Sequence, residues 1–267
     1  MTDIMKTQIR QLIRRKGIFQ FPLIALLITL VLSVLLQSTD NSGKILTASA
    51  FLGQFALFSC AISLIMPGCI MEVCCCDDFT DKTINHELTA GMPRIKVYFA
   101  RILPGLVISL LCYALVLAVP FTLLTFMHGW GTDIPLSNVL LRLVLILAAI
   151  LRYSCFMGMI AFLTKKMGVC LTVSIFAALA CFGTAIGASI PYLRGLMTNP
   201  YLLSILSIGN LSQFSAWYTY GSSLKYNYIY YPALSGSTVA GVIIVSLVMS
   251  AFWLLLGYHY FHTDDLN

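Results

Sequence analysis

The sequence predicts an all-α integral membrane protein with six transmembrane helices. Hydrophobic residues make up 59% of the 267-residue chain and charged residues only 10%, whereas soluble domains carry about 25% charged residues. The mean hydropathy is +0.91. Six apolar runs approach or exceed the roughly 20 residues that a helix needs to cross a bilayer; they cover residues 18–37, 46–69, 97–126, 139–163, 168–190 and 239–258. Because little sequence remains outside these runs, we predict a single transmembrane domain over residues 1–267.

Residues 1–17 predict a short amphipathic helix before the first span. Met5, Ile9 and Leu12 are spaced to share one face, and Lys6 and Arg10 fall on others. Such a helix lies along a membrane surface that contains anionic lipid. A simple basic anchor for the first span is the alternative.

Basic residues favour one side of the predicted membrane topology. Five precede the first span, three lie after the second and two follow the fourth, whereas the opposite side has three. Because basic residues accumulate on the cytoplasmic side, we predict that both termini are cytoplasmic. This bias also accounts for the formal net charge of +6, so we expect no nucleic-acid partner.

A polar connector, residues 76–95, separates the second and third spans. It holds four of the ten acidic residues of the chain. Phe79, Ile84 and Leu88 approximate one apolar helical face, and Gly91-Met92-Pro93 is a helix stop. The pattern predicts an amphipathic helix at the membrane interface, which is either a well-solvated connection or a docking surface.

Ionisable residues in or near the spans are candidate functional groups, because a charge in the bilayer is costly. The candidates are Glu72 at the end of the second span, Arg101 near the start of the third and Arg152 near the middle of the fourth. A central arginine costs about 2.5–3.5 kcal/mol on insertion scales, so Arg152 should face protein or water. Glu72 is one possible partner, and backbone carbonyls are the alternative.

The cysteines predict neither a metal site nor a disulfide framework. Cys74, Cys75 and Cys76 are adjacent, without the usual spacing of metal ligands. All nine cysteines fall within spans or at their cytoplasmic ends, where disulfides are not expected.

The fifth span carries a face of small residues, Ala180, Gly183 and Gly187. Small residues at this spacing allow two helices to approach closely. The face therefore serves either packing within the chain or dimerisation.

The outer segment, residues 191–237, is rich in aromatic residues. Its apolar runs 201–208 and 211–218 are too short to span and predict re-entrant or interfacial helices. Trp217, Tyr218 and Tyr220 are candidates for an outer binding surface, and an interfacial aromatic belt is the alternative.

Several of these features together resemble the ABC-2 type transporter permeases. In that family an acidic residue closes the second span, a Gly-Thr pair follows, and a Gly/Pro-x-x-Arg element leads into the third span. Glu72, Lys82-Thr83 and Gly91-Met92-Pro93-Arg94 stand at these places, with Lys82 where glycine is usual. The basic N-terminal helix and the six-span layout are also similar.

The resemblance implies the membrane subunit of an exporter with a separate P-loop ATPase and a second, identical or similar, permease chain. The connector would be the coupling helix that docks onto the ATPase, which would bind ATP and Mg, and this chain would hold no cofactor. The implied coupling residues are Asp78, Asp81, Lys82, Thr83, His86, Glu87 and Arg94. The first and fifth spans would line the path and the outer helices would cap it. The small outer loops resemble bacterial exporters for peptide-antibiotic resistance and lantibiotic immunity, which act in the cytoplasmic membrane.

Two other classes of function are alternatives to the exporter. The chain has no P-loop of its own, because Gly43-Lys44 lacks the upstream glycine. An intramembrane enzyme would need a nucleophile with a base, or paired acids with metal ligands, and the spans have no such set. An ATP-independent secondary transporter is the remaining alternative, although its usual repeats and broken helices are not evident.

Overall fold

The structure is a computed structural model, and it is predominantly helical. It describes residues 9, 10, 12, 20, 22–28, 30, 31, 48, 62–130, 135–166, 168–188, 216–220, 223–227 and 234–263. Residues 62–71 are helical and continue into a π-helical turn, Glu72–Cys76. The elements that follow are α1 Asp77–Thr80, α2 Thr83–Thr89, α3 Arg94–His128, α4 Leu136–Thr164, α5 Val169–Ala188, β1 Ala216–Tyr220, β2 Ser223–Asn227 and α6 Gly236–Thr263.

Three helices, α3, α4 and α6, are long and apolar enough to cross a membrane, which confirms an α-helical membrane protein. Helix α5 has 20 residues and is apolar over Val169–Cys181. Most of the first two predicted spans lies outside the described residues, although 22–28 and 62–71 are helical. The total of six spans stays a prediction.

Helix α3 is longer than a bilayer requires. Its 35 residues extend about 52 Å at 1.5 Å per residue, whereas the hydrocarbon core is about 30 Å thick. At least one end of α3 therefore reaches beyond the hydrocarbon region, and its first turns are available to contact the connector.

Helices α4 and α6 pack closely along their lengths. The buried residues of α6 form one stripe, spaced four or seven residues apart: Val242, Ser246, Ser250, Gly257 and Phe261. A Cβ atom on Gly257 would lie 2.6 Å from the hydroxyl oxygen of Tyr98 and 3.2 Å from Cα of Met159. Small residues at the contact thus bring the backbones together, as is common between membrane helices.

The helix at residues 62–71 packs against α5 in a similar way. A Cβ atom on Gly68 would overlap the hydroxyl oxygen of Ser174 and lie 2.8 Å from the carbonyl oxygen of Cys170. The Ser174 hydroxyl also shares a hydrogen bond of 3.0 Å with the hydroxyl of Tyr153 in α4. These contacts fix α5 beside α4 and the helix at 62–71.

The described part of the outer segment corrects the prediction of re-entrant helices. Strands β1 and β2 pair antiparallel, with Ala216 opposite Asn227 and Tyr220 opposite Ser223. The predicted helix at 211–218 is therefore wrong over residues 216–218, and the run at 201–208 lies outside the described residues. Aromatic residues favour strands, and the intervening Gly221-Ser222 is a composition typical of hairpin turns.

Candidate functional site

The connector folds as two short helices, where the sequence predicts one. Helix α1 ends at Thr80, and α2 begins at Thr83. Between them Lys82 adopts a left-handed conformation, with φ 55° and ψ 17°, and its amide donates to the carbonyl of Phe79 at 3.2 Å. Lys82 thus makes a tight turn at the place where the ABC-2 permeases have glycine.

The predicted helix stop at Gly91 is confirmed. Gly91 has φ +83°, and its amide donates to the carbonyl of Leu88 at 3.0 Å. The next amide, of Met92, donates to the carbonyl of Glu87 at 3.2 Å. These two bonds form a Schellman motif, in which a glycine closes the helix because it tolerates positive φ. Pro93 then precedes the first residue of α3.

A buried arginine in α3 binds both connector helices. Arg101 donates from Nε to Oδ2 of Asp78 in α1 at 2.9 Å and from Nη1 to Oε2 of Glu87 in α2 at 2.8 Å. Its Nη1 also donates to the carbonyl of Val97 at 3.2 Å. The Arg101 side chain is 0% exposed and those of Asp78 and Glu87 are 4% and 18% exposed. Removal of one member of such a buried set costs about 3–5 kcal/mol.

This network changes the assignment of three candidate residues. Asp78 and Glu87 were expected on the docking face, but their carboxylates point inward to Arg101. Arg101, expected as a path or intramembrane charge, instead binds the connector. The pairing of Arg101 with Asp78 and Glu87 was not predictable from the sequence, because it depends on the turn at Lys82 that directs α2 back toward α3.

The start of α3 is also bonded to the end of α6. Arg94 donates from Nη1 to the carbonyls of Phe261 and His262, at 2.9 and 2.8 Å. One turn later, the hydroxyl of Tyr98 donates to the carbonyl of Leu254 at 2.9 Å. A cation at the C-terminal carbonyls of a helix compensates the helix dipole, so Arg94 stabilises the last turn of α6.

The remaining connector candidates face solvent. Asp81, Lys82 and His86 are exposed, and Thr83 is half-buried. We call Thr80, Asp81, Lys82, His86 and Thr89 the outer face of the connector. A groove of about 590 Å³ lies between the end of the connector, at Met92, and Tyr258 and His262 of α6.

Glu72 has a different partner from the one proposed from the sequence. Its Oε1 accepts a hydrogen bond of 2.9 Å from the amide of Gly168, directly before α5, and among the described residues it makes no ion pair with Arg152. A carboxylate at a helix N-terminus stabilises the helix by opposing its dipole. Arg152 is buried in α4 at 2% exposure.

The three adjacent cysteines lie in the core. Cys74, Cys75 and Cys76 are buried, and burial raises the pKa of the Cys75 thiol well above its ordinary value, with a smaller effect from its neighbours. A thiol with a raised pKa is a poor nucleophile and a poor metal ligand. Within the described ranges, no group of three or more His, Cys, Asp or Glu side chains could hold a metal ion.

The small face of α5 is exposed in the part that is described. Ala180 and Gly183 are exposed, and no described atom lies within 4 Å of a Cβ built on Gly183. The surroundings of Gly187 lie outside what the structure describes. So do those of Trp217, Tyr218 and Tyr220, whose backbones belong to β1.

No protein-family model matches this chain, and no curated protein is similar to it in sequence. Its function has to be inferred from its own residues.

Three residues of the site have no counterpart among the sequence candidates: Tyr98, Gly168 and Gly257. One signal for Tyr98 is present in the sequence, because Arg94, Tyr98 and Arg101 are spaced four and three residues apart and share a face of α3. Gly168 contributes a backbone amide. Gly257 allows a close approach between neighbouring helices. Neither contribution leaves a sequence signal that differs from ordinary glycine use.

Proposed function

We propose that this chain is the membrane-spanning permease subunit of an ATP-driven exporter. A separate P-loop ATPase would dock on the outer face of the connector and bind ATP and Mg. The observation that carries the proposal is a connector folded into two helices and tied to α3 by a buried arginine, while Asp81, Lys82 and His86 stay exposed. A merely solvated connection needs no such buried charges, because burial of ions is costly.

The exporter would have six spans and cytoplasmic termini, in a bacterial cytoplasmic membrane. Two permease chains, identical or similar, would meet partly through the small face of α5, and the exposure of Ala180 and Gly183 supports this arrangement. The substrate would be amphipathic, such as a peptide antibiotic or lantibiotic, which leaves the membrane or cell. We expect membrane lipid as a further partner, and we expect no nucleic-acid partner.

An ATP-independent secondary transporter is the second candidate. Arg142 and Arg152 are both buried in α4, and buried charges in membrane helices often mark ion or substrate pathways. Arg142 donates from Nε to Oδ1 of Asn138 at 2.8 Å, which is one turn away on the same helix. This candidate differs from the exporter in needing no ATPase.

The two candidates are separated by purification of the tagged full-length chain from its native membrane in mild detergent. Mass spectrometry then identifies the proteins that remain bound. A stoichiometric P-loop ATPase would support the exporter. A chain that purifies alone and transports in liposomes without ATP would contradict the exporter and favour the secondary transporter.

The docking surface is tested by reversing an exposed charge. Lys82→Glu changes the outer face of the connector, so we expect the amount of ATPase retained to fall severalfold, because charges at an interface govern association. Lys166→Glu is the matched control, since Lys166 is also exposed and is predicted to lie on the same side of the membrane. Equal retention in both variants would contradict docking at Lys82.

A further inference from the structure

Three residues in one row at the start of α3 bond it to two other parts of the chain. Arg94, Tyr98 and Arg101 are spaced by four and three residues, which places them along one helical face. Arg94 and Tyr98 donate to carbonyls of α6, and Arg101 donates to both connector helices. We call these residues the α3 joint. We propose that the joint makes the connector, the start of α3 and the end of α6 one mechanical unit.

The Arg101 bond to Asp78 is shielded from water, whereas the bonds of Arg94 lie nearer the surface. The side chain of Arg101 is 0% exposed, and Tyr98 is buried. Charge-assisted hydrogen bonds are stronger than neutral ones, and buried pairs are screened little by salt. The Arg101 end of the joint therefore holds its geometry where an exposed pair would exchange its partners for water.

An aromatic cluster connects the same elements. The ring of Phe79 in α1 packs on Phe162 of α4 and Phe261 of α6, with centroids 5.5 and 6.3 Å apart. The ring of Tyr98 lies 4.6 Å from Phe162 and 6.1 Å from Phe261. If the connector opened, Phe79 would leave a cluster that also supports the last turn of α6. The connector and the end of α6 are thus coupled by packing as well as by hydrogen bonds.

Helix α5 lies outside the proposed unit. It is bonded through Gly168 to Glu72 of the π-helical turn, and this bond does not involve the α3 joint. Cys76, the first residue of the connector, also contacts Cys170 of α5, so α5 adjoins the unit without sharing the α3 joint.

For the proposed exporter, the unit predicts which helices move when the ATPase acts on the connector. A partner that displaces the outer face of the connector would move the start of α3 and the end of α6 together. This consequence rests on the proposed function, whereas the unit itself is a property of the chain alone.

Hydrogen–deuterium exchange on the full-length chain in lipid nanodiscs tests the unit, with Glu87→Gln as the variant. The Glu87 side chain is 18% exposed, and Asp78 still pairs with Arg101 after the change, so the variant should fold. We expect amide exchange to accelerate about tenfold in residues 83–89 and also in residues 258–263 of α6, since glutamine keeps an acceptor oxygen for Arg101 but loses the charge that strengthens the bond. His86→Gln, an exposed neighbour in α2, is the control and should change neither region.

Acceleration confined to the connector would overturn the proposal, because the connector would then open without α6. The reciprocal variant Arg94→Met should accelerate exchange in residues 83–89 as well as in 258–263, and an effect on α6 alone would also count against the unit. Glu72→Gln should act only near residues 168–172. Since these measurements involve no ATPase, failure of the unit is distinguishable from failure of the proposed function.

Discussion

At the scale of single residues, the connector depends on two left-handed positions. Gly91 has φ +83° and Lys82 has φ 55°, and only glycine adopts this region without steric cost. Gly91 therefore suits its position, whereas Lys82 is held there by the surrounding contacts. The two positions should respond to substitution with opposite signs.

Gly91→Ala should lower the free energy of unfolding by about 1–2 kcal/mol, because a Cβ is unfavourable at positive φ. Lys82→Gly should raise it by up to about 1 kcal/mol, since relief of strain outweighs the added freedom of the unfolded chain. Both changes are measured by denaturation in mixed micelles. A loss of stability in Lys82→Gly would mean that its side chain contributes more than its backbone strain costs.

At the scale of elements, polar bonds at helix ends and close approaches between helices position the connector. Glu72 binds the amide at the start of α5, and Arg94 binds the carbonyls at the end of α6. The termini of a helix leave backbone groups without partners inside the helix, so a charged side chain from another element both satisfies and locates them. Gly257 and Gly68 set the distances between neighbouring helices.

Glu72→Ala should destabilise the first turn of α5 by about 0.5–2 kcal/mol, the usual cost of losing an N-terminal capping group. Faster amide exchange at residues 168–172 is the expected result. Glu72→Gln keeps an acceptor oxygen and should have a smaller effect, because it loses only the interaction of the charge with the helix dipole. Equal effects of the two variants would show that the hydrogen bond contributes little.

Gly257→Ala should destabilise the protein by about 1–3 kcal/mol, the usual cost of overpacking. The new methyl group would meet the Tyr98 hydroxyl oxygen at 2.6 Å and Cα of Met159 at 3.2 Å, so α6 has to move away from α4. Thermal unfolding in detergent measures the loss. Ala251→Leu, at an exposed position of α6, is the control, and an equal loss in both variants would rule out a specific effect at the contact.

At the scale of the whole molecule, the apolar surface of the helices faces lipid or another protein chain. Phe176 and Leu179 of α5 are 68% and 60% exposed, next to the exposed Ala180 and Gly183. Exposed apolar side chains are normal in a bilayer, but small residues among them favour close contact with another helix. This face is the part of α5 available to a second permease chain.

Gly183→Leu should weaken a permease dimer, because the larger side chain prevents close approach of the two helices. The fraction of dimer is measured by cross-linking or single-molecule counting in lipid. Ala251→Leu introduces the same side chain on α6 and should leave the dimer unchanged. A dimer of normal stability in the α5 variant would remove this face from the interface.

The candidate site was predictable in its position and only partly in its chemistry. The composition change around residues 76–95 located the connector, and Gly91 located its end, because both depend on local physical properties. The roles of Asp78 and Glu87 were not predictable, since helical spacing alone does not show which carboxylate an arginine 14 or 23 residues further along the chain will reach. The hairpin at 216–227 was also missed, because short aromatic runs are compatible with both helix and strand.

The α-helical membrane class is readable from the amino-acid sequence alone, because bilayer thickness demands long apolar runs that no distant contact has to complete. The sequence also locates where the chain leaves the apolar environment between its second and third predicted spans. The tertiary structure alone decided which charges are buried together and which remain exposed. That choice depends on how α1, α2 and α3 meet, because a buried charge is tolerated only where it is paired and hydrogen-bonded.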